Sequence, residues 1–316
     1  MPYRSIIVAA LQSAGLYAAG FLIPFIGQIA MLFVPVPLVV LFLREGRPAG
    51  HLALATACFL AAALGWWQMA VLLFFLGFGL MALGLAEGMM RGWKAEQTVF
   101  LGGVLPLAAL LLLLSILLLK SGKNPFTVAE EYLKTSIEDA QKVYTKLGLT
   151  EVVQTLGMVT DQVIRTVVRL LPGIFVSTSL IQAAGCYGMA RAIVLRRSPA
   201  SRLASQPSLA FWHAPDTFVW GLILTLVLVT WGSLDHARTA VLFLGLNLSF
   251  VFALVYLIQG ISILEYLFRR ARIPAIGRTL LHTIILALPL VVLIIPLGII
   301  DIWADFRKVR GTMPES

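Results

Sequence analysis

Residues 97–119, "QTVFLGGVLPLAALLLLLSILLL", decide the class of this protein. The stretch carries no charged residue, and as an α-helix it would reach about 34 Å, enough to cross the hydrocarbon core of a bilayer. Runs of the same kind recur along the whole chain. Of its 316 residues, 59% are hydrophobic and 12% charged, and its mean hydropathy is +0.93. A transmembrane barrel would show short alternating segments. These runs are continuous, so each satisfies its backbone internally as a helix. The fold class is therefore an all-α polytopic membrane protein.

Working outward from this run, candidate spans fall at 5–27, 29–43, 49–65, 69–89, 97–119, 168–194, 217–233, 239–262 and 280–300. The first run is too long for a signal peptide and counts as a span. The last contains Pro289, Pro296 and Gly298 and reads either as a crossing or as a kinked, re-entrant piece, so the chain has eight or nine transmembrane helices. Three regions follow: an N-terminal five-helix membrane bundle over 1–119, an extracytoplasmic insert over 120–166, and a C-terminal bundle of three or four helices over 167–316 with a cytoplasmic loop at 195–216.

The net charge of +9 does not point to nucleic acid, because the basic residues sit in short clusters between apolar runs. Arg44 and Arg47, then Arg91 and Lys94, then Arg191, Arg196, Arg197 and Arg202, then Arg269, Arg270, Arg272 and Arg278 follow alternate spans. The opposite loops, 24–28 and 64–68, are uncharged. By the positive-inside rule the N-terminus is cytoplasmic. The insert carries six basic and six acidic residues between Lys120 and Arg165 and should lie outside. Its "NPFTVAEEYLKTSIEDAQKVYTKLG" reads as an amphipathic helix with a capping box at Thr127 and Glu130. A second amphipathic piece over 152–164 makes it a helical hairpin on the outer surface or a plain linker.

Catalytic motifs are absent: no phosphate-binding GxxxxGK[ST], no HExxH, no paired CxxC, no GxSxG. His51, His213, His236 and His282 are scattered, Cys58 and Cys186 lie within apolar runs, and "GFGLMALG" at 77–84 reads as close helix packing. No enzyme activity, metal or cofactor is expected.

Polar residues within spans remain, and these mark binding or packing sites. Ser177, Ser179 and Gln182 lie on one span, and Asn247, Tyr256 and Gln259 on another. Gln28, Trp66, Trp67 and Gln68 lie at outer turns. Together they form either an outward-facing solute cavity or a set of interface anchors and interhelical hydrogen bonds. In "VAALQSAGLYAAG" (8–20), Ala10, Ala14 and Ala18 recur every four residues and would let another helix approach closely, from a partner or from the same bundle. In "GIIDIWADFRK", Asp301 and Asp305 share a helix face four residues apart and Arg307 follows. This pattern is either a clasp with the Arg269–Arg272 cluster, a docking point for a partner, or an ordinary interfacial end.

The "IPFIG" turn, "FVPVPLVVLFLREG", "RPAGHLALATA" and the closing "GIIDIWADFRK" resemble the YybS-like family of uncharacterised bacterial membrane proteins. That family is similar to the substrate-binding (S) components of energy-coupling-factor transporters. The resemblance implies an S-component-like N-terminal bundle whose Ala10, Ala14 and Ala18 meet a coupling subunit with separate ATPases. It also admits a scaffold that organises cell-envelope partners. S components usually have six spans, and this chain departs from them by its extra spans and its insert.

Overall fold

A computed structural model describes residues 2–23, 26–63, 71–158, 161–198, 203, 209–234, 239–274, 277–278, 281 and 291–307. Among these residues the secondary structure is helical and no strand occurs. The helices are α1 (Pro2–Leu22), α2 (Ile26–Met31), α3 (Pro35–Glu45), α4 (Arg47–Ala62), α5 (Val71–Arg91), α6 (Ala95–Ser121), α7 (Pro125–Lys146), α8 (Thr150–Gly157), α9 (Asp161–Arg197), α10 (Phe218–Ser233), α11 (Thr239–Arg270) and α12 (Val291–Ala304).

Among the described residues, six stretches are long and apolar enough to cross a membrane: α1, the α2–α3 stretch, α5, α6, α9 and α11. The eight crossings expected from the sequence need α4 and α10 as well, and nine need α12 too; these are shorter, at 16, 16 and 14 residues. Most of the segment before α12 lies outside the described residues.

The chain divides into two compact units. The first comprises residues 1–168 and 178–206. In it α1 packs on α3 and α4, α3 on α5, and α5 on α6. Its core holds Tyr17, Leu38, Val39, Phe42, Phe74, Met81 and Leu85, each at most 2% exposed. Residues 74–79 of α5 form a π-helical turn, and the Phe74 ring meets Tyr17 edge-on at 5.3 Å. The glycine pattern expected to allow close helix contact does so at Gly84: a Cβ there would lie 3.0 Å from the Gly102 Cα on α6.

The insert is a helical hairpin of α7 and α8. Its start corrects the expected capping box. Asn124 is the cap, its Oδ1 accepting the Phe126 N–H at 2.9 Å, and Pro125 occupies the first helical position. Proline presets the helical φ and has no N–H to leave unsatisfied, so the helix begins before Thr127.

The second unit comprises residues 169–177 and 207–316. It is built on α11, against which α10, α12 and a short 3₁₀ turn at Leu209–Phe211 pack. The α11–α12 contact is closest at Gly298, where a Cβ would fall on the Tyr256 carbonyl. Only glycine permits that backbone approach.

Candidate functional site

Two polar assemblies stand out, one in each unit. In the first unit the determinant is the pair Pro35 and Pro37. Neither has an N–H, so an uninterrupted helix from 27 to 45 would leave carbonyls without donors. The helix breaks into turns at Leu32–Val34 instead. There the Val34 and Val36 N–H groups reach the Met31 and Phe33 carbonyls, the two the prolines deprive, at 3.3 and 3.0 Å, and in lipid the other carbonyls at the break are served from within the protein. Ser13 of α1 donates its hydroxyl to the Val34 carbonyl at 2.6 Å. From α9, Gln182 donates Nε2 to the Leu32 carbonyl at 3.1 Å, and the Cys186 thiol donates to the same oxygen at 3.2 Å. Beside the break runs an open groove of about 560 Å³, lined among others by Leu11, Gln12, Gly15, Phe33, Pro37 and Met189. Gln12 and Gly15 are exposed, and nothing lies within 4 Å of the place a Gly15 Cβ would take.

In the second unit α12 ends at Ala304, and Asp305 adopts a left-handed φ of 39°. The chain reverses there and returns Arg307 to the interior. Arg307 Nη2 donates to Asp301 Oδ2 at 2.7 Å. Nη1 donates to Ser262 Oγ at 2.5 Å, to the Trp212 carbonyl at 2.7 Å and to the Ala210 carbonyl at 3.2 Å. Asp301 Oδ2 also accepts Gln259 Nε2 at 3.1 Å, and Asp301 Oδ1 accepts the Phe306 N–H at 3.0 Å. Gln259 Oε1 in turn accepts the Ala214 N–H at 3.1 Å. One buried guanidinium thereby ties α11, α12 and the 210–214 segment together. Chemically this is a neutralised charge pair with its lone pairs and protons mostly committed. It offers no nucleophile or general base in contact with solvent.

The family whose model matches, over residues 13–302, is described as a predicted membrane protein (DUF2232). The chain belongs to this family. No curated protein and no solved structure matches it.

The DUF2232 chain distributes the expected cavity residues over both units. In the first, Gln28 is exposed and donates to the Gly20 carbonyl at 2.7 Å, Ser179 donates to the Gly103 carbonyl at 2.8 Å, and Gln182 serves the helix break. In the second, Asn247 is fully engaged. Its Oδ1 accepts the Gly173 N–H at 2.6 Å, and its Nδ2 donates to the Arg169 and Phe243 carbonyls at 2.9 and 2.8 Å. Gln259 belongs to the Arg307 network. Ser177 and Tyr256 are buried, and their hydroxyls have no hydrogen-bond partner among the described residues. Trp66, Trp67 and Gln68 lie outside the described residues.

The small-residue strip needs a correction of face. Ala10 and Ala14 are 0% and 7% exposed within the DUF2232 chain's own first unit, where a second chain's helix cannot reach them, and Ala18 is half-buried. Gln12 and Gly15 hold the open side of α1. At the other end, Asp305 closes the last turn of α12, its N–H donating to the Asp301 carbonyl at 3.1 Å, and the chain leaves the helix there. The clasp is also internal to its own segment: Asp301 takes Arg307, while Arg269 and Arg278 pair with Glu265 at 2.7 and 3.2 Å.

Ser13 and the backbone carbonyls of residues 32, 34, 210 and 212 were not legible as site groups. The proline pair was the available signal, since it announces freed carbonyls without saying which side chain serves them.

Proposed function

We propose that this DUF2232 protein is a non-transporting interaction component of the bacterial inner membrane, with its N-terminus in the cytoplasm, that holds a partner protein along the outer face of α1. The observation that carries the reading is the open groove at Gln12 and Gly15. Gly15 leaves room for a second helix to come close, and Gln12 supplies an amide that gains a partner only when something docks there. Association inside lipid depends on such packing and hydrogen bonds. The engaged amides of Gln182, Asn247 and Gln259 favour this over a solute cavity, since each already serves the chain's own backbone or charges. In this reading α4 and α10 supplement the six long crossings.

The test is in-cell crosslinking from a photoreactive residue at Gln12. A defined partner adduct, lost on Gly15→Leu with the purified chain's melting unchanged, supports the proposal. Adducts to lipid alone reject it.

A second reading is a transport component that binds a small solute and uses separate coupling and ATPase subunits, as the similarity to S components implies. It is favoured by the buried, unpartnered hydroxyls of Ser177 and Tyr256, which a bound solute would satisfy. Mass spectrometry of the gently purified protein distinguishes the two. A retained solute with ATPase subunits supports transport, and an empty bundle with envelope-assembly proteins supports the scaffold.

A further inference from the structure

Where α11 ends, residues 265–278 hold four guanidiniums (Arg269, Arg270, Arg272, Arg278) and one carboxylate, Glu265. That carboxylate is committed. Its Oε1 meets Nε of Arg269 at 2.7 Å and Nε of Arg278 at 3.2 Å, and the Arg278 Nη1 also holds the Ile273 carbonyl at 2.9 Å. Glu265 therefore fixes the base of the turn and leaves excess positive charge on its rim. The rim is Arg270 and Arg272, both exposed and without an ion pair among the described residues. On a continuous helix, residues two apart would diverge. Arg270 is the last residue of α11, and Arg272, with a φ of 57°, lies in the turn that follows it. Apolar surface adjoins the turn: Leu267 is 43% exposed, and Phe211, 45% exposed, meets Tyr266 edge-on at 6.1 Å.

We propose that the Arg270–Arg272 turn binds the phosphate of an anionic phospholipid, with Leu267 and Phe211 against the glycerol and upper acyl region. The charge selects the headgroup. Guanidinium forks suit phosphate oxygens, and a basic turn at the end of a long apolar helix lies at the depth where lipid phosphates are found. The adjoining exposed apolar side chains favour a lipid over a soluble anion or an acidic protein segment. This inference is independent of the partner groove on α1.

The experiment uses the full chain in nanodiscs of phosphatidylcholine with and without phosphatidylglycerol, reading the melting midpoint and, by native mass spectrometry, the lipid retained. Phosphatidylglycerol should raise the midpoint and remain bound. The Arg270→Gln/Arg272→Gln variant should melt like the parent in phosphatidylcholine, lose the rise, and retain phosphatidylglycerol about tenfold less. Arg270→Lys/Arg272→Lys keeps the charge and should keep part of the effect. It carries the test if the glutamine variant does not fold, since its phosphatidylglycerol rise should then collapse with added salt. Arg4→Gln/Lys123→Gln, which removes equal charge elsewhere, should change nothing. Undiminished phosphatidylglycerol retention in the glutamine variant overturns the proposal. So does a salt-insensitive rise in the lysine variant, or the same protection by inorganic phosphate in neutral detergent.

Discussion

Arg307 and Asp301 form an ion pair of 2.7 Å with side chains only 1% and 3% exposed. Burying two charges is costly, and the pair persists because Ser262, Gln259 and the Trp212 and Ala210 carbonyls share its hydrogen bonds. Removing one partner strands the other. Arg307→Leu should therefore destabilise the second unit by about 3–5 kcal/mol. Adding Asp301→Leu should cost less than the sum of the single losses, because the stranded carboxylate is gone. Denaturant unfolding of the four proteins in one detergent measures the coupling; strict additivity would show that the two side chains act separately.

Asn247 is expected to be a structural amide. Asn247→Leu removes the acceptor for the Gly173 N–H and the donor for two carbonyls, and leaving such groups unpaired costs about 1–3 kcal/mol each. The melting midpoint should fall whether or not any solute is present. An unchanged midpoint, with ligand retention lost, would return Asn247 to a binding role.

The two faces of α1 should respond differently to the same enlargement. Ala14→Leu adds bulk inside the first unit, where Ala14 is 7% exposed, and overpacking of this kind costs about 1–3 kcal/mol. Gly15→Leu projects into open space and should leave the isolated chain's melting alone while releasing a partner. Pull-down and melting on both variants give four readings. If Ala14→Leu melted normally and Gly15→Leu did not, the assignment of faces would be reversed.

Orientation is checked with single cysteines read by a membrane-impermeant thiol reagent, in a background lacking the half-buried Cys58. Glu138→Cys, in the insert, should label in intact cells with a permeabilised outer membrane. Arg197→Cys, at the end of α9, should label only after lysis. The opposite pattern would invert the topology.

The insert and the break before α3 show how far local sequence carries. An Asn-Pro after a glycine-bounded apolar run announces a helix start, and α7 starts there, although the side chain that caps it is Asn124 and not Thr127. The pair Pro35 and Pro37 announces a break, and α3 follows one. Both are backbone effects settled within a few residues.

What the sequence by itself determined is the helical membrane class, the long apolar helices, the polar insert and the glycine-lined close contacts, because hydropathy and steric size act through composition and short spacing. Tertiary structure alone decided which side of α1 is buried, which carbonyls Ser13 and Gln182 serve, and that Arg307 turns inward. Helical periodicity states which residues share a face but not what that face meets. The Gln182–Leu32 and Arg307–Ala210 bonds join residues 150 and 97 positions apart. In a bilayer, where lipid satisfies apolar surface as well as protein does, the choice between them rests on hydrogen bonds and packing that exist only once the helices have met.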